Sequence, residues 1–559
     1  MKRRQFLQDS AGASLAFPGL LTSNCARGKE FDLLISGGTV YDGLGNQGIG
    51  ADVAVYGGRI AKIASSISKN KAFEVIDATG KAVAPGFIDP HTHTDIQLLV
   101  NPKAESKIRQ GVTIEVGGNC GGSQFPISDE SFEEKRKNFA DHNGVELTWK
   151  DAAGFFNRLE ETGMAINYAT FLGHGTVRNT VMGPYDRPPT NEELGRMKQI
   201  VRDSMQQGVL GLSTGLIYNP GSFAEIDELI ELCKEVARLK GVYATHMRDE
   251  SDYLLEAIDE AVTIARKSGV SLQISHFKTM YPRNYAKIDK MLQAVDTATA
   301  EGIDLLADRY PYIASSTGMS SFYPQWVREG TTDEFVARLK DPSLDTKLRG
   351  FIRDWENKAG SWDNVLINGV NLGENKFLEG ATVLDGSSKT GKKPYEFMRD
   401  LMISERGGVS VVKFAMDENN LRRVLSHPLV VIGSDGNAIA PYGKLGEGKP
   451  HPRSYGTFPR VLGKYVREDK VLTLPQAIRK MSAQTADKFG FTDRCRIVES
   501  CYADLVVFDP DTVIDKATFA DPHKYPEGID HVIVNGVPVI QHGEHTGNLP
   551  GKILKTKQT

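Results

Sequence analysis

Cysteine is scarce in this chain, with five among 559 residues, and so scattered a set does not build a disulfide framework. No apolar stretch after the N-terminus is long enough to span a bilayer. Long basic runs are also missing and the net charge is only −4, so neither nucleic-acid binding nor anionic-membrane binding is indicated. What remains is an ordinary globular composition, 40% hydrophobic and 25% charged, in a chain long enough for one large barrel and an appendage.

The N-terminus carries an export pattern. Arg3 and Arg4 precede a modest apolar stretch at 11–21, which resembles a twin-arginine signal, so residues 1–28 are predicted to be an export signal. The expected location is therefore the periplasm or beyond. Cys25 ends a stretch that loosely resembles a lipoprotein cleavage site, although Asn24 departs from the small residue usual there. A lipid anchor at Cys25 is thus a further option.

Both ends of the chain are rich in short β-strand patterns. Residues 31–41 and 52–63 read as strands joined by Gly-Gly turns, and 503–508 and 531–540 have the same texture. No helix fits between these short units. The pattern predicts one small β-sandwich domain built from residues 29–84 and 488–559.

The middle of the chain alternates apolar runs with amphipathic stretches, which favours a parallel α/β architecture. Eight strand–helix units close a TIM (β/α)8 barrel, here predicted over residues 85–487. Such barrels place their catalytic groups at the C-terminal ends of the strands. The predicted strands are 84–89, 112–116, 166–172, 209–212, 242–245, 272–275, 303–307 and 429–433.

Spacing predicts a large insertion. His276 and Asp435 stand 159 residues apart, whereas two strand–helix units of a typical barrel take only about 62. The additional residues are assigned to 321–420, between the seventh and eighth strands. An insertion after a strand projects over the mouth of the barrel, so a lid or substrate-selecting subdomain is expected there.

Metal-binding side chains end several of these runs. His91-Thr-His93 follows the first run, and residues two apart on a strand point to the same face. Zinc binds cysteine thiolate and histidine nitrogen, and a catalytic zinc site keeps one position open. The later strand-like runs that also end in a ligand-type or acidic side chain end at Cys120, His246, His276 and Asp435.

Two ligand sets follow from this arrangement. Cys120, His246 and His276 form a cysteine–histidine–histidine set, and His91 and His93 form a poorer set on the opposite side. Each residue taken singly also fits a structural role, such as a buried thiol or a hydrogen-bonded histidine. Their joint position at one predicted barrel rim favours a metal site.

The motifs Gly-Asn-Cys120-Gly and His-Pro-Arg-Ser-Tyr-Gly-Thr-Phe-Pro-Arg, ending at Arg460, carry a family resemblance that extends from Phe31 to the final β segment. The chain resembles the amidohydrolase superfamily and, within it, the N-acyl-D-amino-acid deacylases, or D-aminoacylases. Many relatives in the superfamily carry a carboxylated lysine where Cys120 stands. The resemblance implies one tightly bound Zn²⁺, a weaker second site at His91 and His93, and a general acid/base. These roles fall on Cys120, His246 and His276 for the tight site and on Asp435 for the acid/base.

An amino-acid substrate also presents an α-carboxylate, and an arginine fork or a lysine binds such a group. Arg453 lies in a Gly/Pro-rich loop 18 residues past Asp435, and Lys278 follows His276 by two. Tyr312 is an alternative to Tyr310 for the contact with the substrate. For Tyr218, a packing role fits as well as a substrate contact. By the resemblance, the residues that contact the substrate are Lys278, Arg453, Tyr310, Tyr218 and Ser316.

The resulting hypothesis is zinc-dependent hydrolysis of small-molecule N-acyl-D-amino acids to a carboxylate and a free D-amino acid. The preference for the D hand comes from the resemblance alone. One alternative is an amidohydrolase of cyclic amides, such as a hydantoinase or dihydroorotase, although those usually carry a bridging lysine. Another is a non-catalytic metal-binding barrel, which predicts the loss of a ligand or of the acid/base.

Overall fold

A computed structural model describes residues 28–556 of the chain. Cys25 and all of the predicted export signal except Gly28 lie outside these residues. The four cysteines within them are free thiols. Among the same residues, no helix combines the length and the apolar character that a membrane crossing requires.

Eight parallel strands form the predicted barrel. Each pairs in parallel with the next, and the third is interrupted at Phe171. A parallel bridge between Thr92 and Gly436 joins the ends of the first and eighth strands, and the Asp435 amide donates to the His91 carbonyl at 2.8 Å. The TIM-barrel prediction is confirmed. The strands are Phe87–Asp89, Val112–Gly117, Asn167–Thr170 with Leu172–Gly173, Gly211–Gly215, Val242–His246, Ser271–Ile274, Leu305–Arg309 and Val430–Ile432.

Helices connect the strands and cover the outside of the barrel. Their apolar faces and the outward side of the strands form one large buried cluster. The α-helix Arg453–Arg460 continues directly into a π-helical stretch, Val461–Glu468. The connecting α-helices are Gln97–Val100, Glu105–Ile108, Asp129–Asn143, Ala152–Thr162, His174–Met182, Asn191–Gln207, Ile226–Arg238, Leu254–Ser268, Ile288–Ala300, Glu418–Ser426, Arg453–Arg460, Leu474–Met481 and Ala483–Lys488.

The first predicted strand, 84–89, is in fact two strands. Ala82–Pro85 belongs to the small β domain and Phe87–Asp89 to the barrel. Gly86 separates them, and a Cβ at this position would lie only 2.3 Å from Thr113 Cγ2. The chain passes between the two sheets at the one residue whose missing side chain permits this close approach.

The small domain draws its strands from both chain ends, as predicted. Leu505–Phe508 pairs antiparallel with Ala82–Pro85, which in turn pairs with the end of the first strand. That strand bulges near Gly37, and residues from both halves of the sheet share one buried cluster. The nine strands are Phe31–Val40, Ile49–Tyr56, Arg59–Ala64, Ala72–Asp77, Ala82–Pro85, Leu505–Phe508, Ile529–Val534, Val537–Gln541 and Glu544–His545.

A separate subdomain lies between the seventh and eighth barrel strands. Its sheet is antiparallel, with Val409–Phe414 in the middle, Ala314–Gly318 on one side and Val365–Val370 on the other. It has its own hydrophobic cluster, and its first strand begins ahead of the predicted residue 321. Its helices are Gln325–Arg328, Thr332–Lys340, Asp345–Ala359, Val383–Thr390 and Pro394–Ser404.

Candidate active site

The predicted metal-binding residues all lie at the C-terminal rim of the barrel. His246 is the last residue of the fifth strand, and His276 follows the sixth strand by two residues. Cys120, His276 and Asp435 have φ angles of 53°, 37° and 52°, in the left-handed region that side chains with a Cβ disfavour. Such backbone strain clusters at functional sites, where surrounding structure holds it in place.

Cys120, His246 and His276 converge as the sequence predicted. The Cys120 thiol sulfur lies 3.7 Å from His246 Nδ1 and 3.8 Å from His276 Nε2, and the two nitrogens are 2.8 Å apart. Around a tetrahedral zinc, the usual bond lengths separate sulfur from nitrogen by about 3.6 Å and two nitrogens by about 3.3 Å. The donor types and their spacing therefore fit a zinc ion after a small separation of the two rings.

A second set shares the same thiol. His91 Nε2 lies 3.4 Å from Cys120 Sγ and 3.4 Å from Asp435 Oδ1, and His93 Nε2 lies 2.9 Å from that same oxygen. One donor atom from each of these four residues falls within 4.8 Å of the others. Cys120 therefore belongs to both groups of donor atoms.

Two carboxylates that the sequence did not identify support these histidines. Asp308 Oδ1 lies 3.1 Å from His91 Nδ1 and accepts the His276 backbone N–H at 2.7 Å. Glu250 Oε1 lies 2.7 Å from His276 Nδ1. A carboxylate on the far nitrogen of a metal-binding histidine fixes the orientation of the ring. For Asp308, the available sequence signal was an acidic residue at the end of the seventh barrel strand.

The site favours the ionised forms of its thiol and of Asp435. Burial opposes ionisation of Cys120, but His91, His246 and His276 outweigh it and hold the pKa of the thiol well below its usual range. Burial likewise opposes ionisation of Asp435, yet Arg453 and the neighbouring histidines keep the pKa of the carboxyl well below its usual range. A thiolate binds metal, and an ionised carboxylate can accept a proton.

All five residues predicted to contact the substrate line one cavity of about 240 Å³, together with Cys120, His246, His276, His93 and Asp435. Tyr310 rather than Tyr312 faces the cavity. The Tyr312 ring packs at 5.2 Å on the His451 ring, and its hydroxyl is directed at Asp515. The predicted residues on the cavity wall are Lys278, Arg453, Tyr310, Tyr218 and Ser316.

Several donors on this wall lack an acceptor among the described residues. Arg453 Nη1 lies 2.7 Å from Asp435 Oδ2, but its N–H is not directed at that oxygen and makes no hydrogen bond there. The Tyr310 hydroxyl is also buried without a partner. Burial raises the pKa of Tyr310, but Lys278, Arg309 and Arg453 outweigh it and lower that pKa below its ordinary value. These donors fit an anionic group in the cavity.

A barrel whose rim holds metal-binding thiol and imidazole groups beside an ionised carboxylate defines a metal-dependent hydrolase, because this arrangement activates water. A sequence model of the amidohydrolase family matches residues 74–348 and 390–540. The D-aminoacylase of Alcaligenes xylosoxydans xylosoxydans is 35% identical over 94% of this chain and 98% of its own length. The chain belongs to the amidohydrolase family and, within it, to the N-acyl-D-amino-acid deacylases.

Solved structures agree with this placement. N-acyl-D-glutamate deacylase from Bordetella bronchiseptica, in complex with zinc and a phosphonate mimic of the tetrahedral intermediate, is 32% identical with a TM-score of 0.80. A D-aminoacylase described as having a binuclear metal centre, with one-metal activation and second-metal attenuation, is 34% identical with a TM-score of 0.77. Each match covers 94% of this chain and 100% of the other. Relatives named D-aminoacylase, N-acyl-D-glutamate deacylase and N-acyl-D-aspartate deacylase favour the first hypothesis over the cyclic-amide alternative.

Proposed function

We propose that this protein hydrolyses N-acyl-D-amino acids, releasing a carboxylate and a free D-amino acid. The observation that carries the proposal is the composition of one cavity wall. It brings together a zinc-type donor set, an ionised carboxylate and buried donors that lack an acceptor within the described residues. The names of the relatives supply the chemistry of the substrate and its D configuration.

In this proposal Cys120, His246 and His276 hold the tightly bound zinc. His91 and His93 belong to a weaker second site that shares the Cys120 thiolate. When bound, zinc supplies Lewis acidity, which lowers the pKa of water to about 7 and polarises a carbonyl group. The one-metal activation and second-metal attenuation of the related D-aminoacylase support this division between the two sites.

Asp435 acts as the general acid/base. Its ionised carboxylate accepts the proton of the attacking water and then delivers it to the nitrogen of the leaving amine. Contacts with His93 at 2.9 Å and Arg453 at 2.7 Å fix its orientation. The Asp435 carboxylate therefore holds the proton between the two steps while its own position in the site stays unchanged.

Lys278, Arg453 and Tyr310 bind the α-carboxylate of the substrate, with Tyr218 and Ser316 beside them. The Tyr218 hydroxyl is 3.0 Å from Thr317 Oγ1, a contact that holds its ring on the cavity wall. A carboxylate clamp at a fixed position relative to the metal allows one hand of the amino acid to present its amide for attack. The other enantiomer, held by the same clamp, would turn its amide away from the metal site.

The test compares N-acetyl-D- and N-acetyl-L-amino acids that carry apolar, neutral polar and acidic side chains. The zinc-loaded enzyme should release amino acid from D substrates at least about 100-fold faster than from their L forms, since misplacement by 1 Å costs about that much. Ninhydrin measures the release, with chelator-treated and zinc-restored enzyme as controls. Equal rates on both hands, or no release from any of them, would contradict the proposal.

We further propose that the protein is exported to the periplasm, with a lipid anchor at Cys25 as an option. The support is Arg3 and Arg4 ahead of the apolar stretch at 11–21. Cell fractionation of the full-length chain should place it outside the cytoplasm, and a wholly cytoplasmic protein would contradict the proposal.

A further inference from the structure

The middle strand of the inserted sheet, Val409–Phe414, places Lys413 on the wall of the active-site cavity. Lys413 is only 8% exposed, and its ammonium group makes no hydrogen bond or ion pair with the described part of the chain. The other two cations of the cavity each have a carboxylate partner, Glu250 for Lys278 and Asp435 for Arg453. Burial of an unpaired charge is costly, so Lys413 has the features of a group kept for a ligand.

Ser315 adds a second unsatisfied donor at the same place. It lies directly opposite Lys413 in the antiparallel sheet, so their side chains share a face. Ser315 lines the cavity, is 7% exposed, and its hydroxyl has no hydrogen-bond partner among the described residues. An ammonium group beside a free hydroxyl is suited to a carboxylate, which accepts from both.

Lys413 also lines an adjoining cavity of about 210 Å³. There the Tyr281 hydroxyl and Arg328 Nε are buried without acceptors in the described residues. The two cavities share Lys413 and Glu250 on their walls, and the second is also lined by the Asp249 carboxylate. A group that extends from the reaction centre in this direction meets the Lys413 ammonium and these unpaired donors as well as the two carboxylates.

The neighbours of Lys413 indicate which part of the substrate points towards it. Burial lowers the pKa of Lys413 to about 8; the Glu250 carboxylate opposes this shift and the Lys278 ammonium adds to it. Lys413 lines the same cavity as Lys278, and Ser315, which lies opposite it, directly precedes Ser316, so Lys413 lies on the side of the cavity where the α-carboxylate binds. The scissile amide holds the nitrogen of the α-carbon towards the metal site, so the substituent left to extend towards Lys413 is the amino-acid side chain.

We propose that Lys413 and Ser315 form the subsite for a carboxylate on the substrate side chain, so that the enzyme prefers N-acyl derivatives of acidic D-amino acids. The inference rests on the proposed deacylase function and names its substrate class. The carboxylate supplies the missing counter-charge of Lys413 and the acceptor for Ser315. The inserted subdomain then selects the side chain, while the barrel supplies the metal donors, Asp435 and the α-carboxylate clamp.

The test uses N-acetyl-D-glutamate, its neutral isostere N-acetyl-D-glutamine, and N-acetyl-D-methionine. We expect kcat/KM of the wild-type enzyme to be highest for N-acetyl-D-glutamate. In Lys413→Met that value should fall at least about 30-fold, as for the loss of one partner of a buried charge pair, with changes under about threefold for the neutral substrates. Ser315→Ala should lower the N-acetyl-D-glutamate value by about tenfold. Lys389→Met, at an exposed lysine of the same subdomain, is the matched control.

Four outcomes would overturn the inference. A wild-type preference for N-acetyl-D-methionine would show that the enzyme has no subsite for an acidic side chain. An equal loss on all three substrates in both Lys413→Met and Ser315→Ala would place these residues in the general binding site or in fold stability. A Lys413-dependent preference for N-succinyl-D-methionine over N-acetyl-D-methionine would assign the subsite to the acyl group. Activity on no N-acyl-D-amino acid would contradict the proposed function itself, and the subsite with it.

Discussion

Replacing Asp435 by asparagine is expected to lower kcat by about 10²- to 10⁴-fold while zinc stays bound. Asparagine keeps the shape of the side chain and can still contact His93 and Arg453. It has no charge with which to accept the proton of water. The three donors of the tight metal site, Cys120, His246 and His276, are unchanged, so metal content should equal that of the wild-type enzyme.

The measurement pairs steady-state kinetics on the best N-acetyl-D-amino acid with zinc content by atomic absorption. Asp511→Asn, at an exposed aspartate of the small domain, is the matched control and should change neither quantity. A near-wild-type rate in Asp435→Asn would show that another group moves the proton. Glu250 is a candidate, because it is a carboxylate that lines the same cavity. Loss of zinc together with activity would instead assign Asp435 to metal binding.

Replacing Cys120 by alanine is expected to remove both zinc and activity. The thiolate is the only anionic donor of the tight set and also belongs to the second set. Even groups that only support a metal ligand account for 10- to 100-fold in affinity, so loss of the ligand itself should lower zinc affinity by more than about 100-fold. Zinc should also raise the melting temperature of the wild-type protein but not of this variant, because a ligand stabilises only a state that binds it.

Cys233→Ala provides the comparison, since Cys233 is fully buried in the helix Ile226–Arg238, and burial alone raises the pKa of its thiol. This variant should lose some stability from the smaller side chain and still bind zinc and turn over substrate. A Cys120→Ala protein that retained one zinc per chain and full activity would show that the metal is held elsewhere.

The barrel and the convergence of Cys120, His246 and His276 at its rim could be predicted because both follow from local pattern and counting. Apolar runs that alternate with helical stretches predict parallel strands, and the carboxyl ends of parallel strands meet at one rim. Residues such as Cys120 and His276, which closely follow these runs, must then converge. The inserted subdomain was predicted from the excess length of chain between two such residues. This prediction did not require knowledge of its shape.

Glu250 and Lys413 could not be recognised in the same way. Glu250 lies in a loop four residues past His246, and nothing local shows that the loop returns to His276. Lys413 faces the cavity only because its strand pairs with Ala314–Gly318 in one register. A shift of one residue would turn its side chain to the other face of the sheet. Such positions depend on tertiary contacts, which sequence periodicity does not encode.

The most direct test of the zinc site is to locate the metal by anomalous diffraction at the zinc absorption edge, on crystals of the active enzyme. We expect a strong peak about 2.3 Å from Cys120 Sγ and about 2.0–2.1 Å from His246 Nδ1 and His276 Nε2. A strong peak bound elsewhere, with these three side chains unligated in a protein that still hydrolyses its substrate, would contradict this assignment.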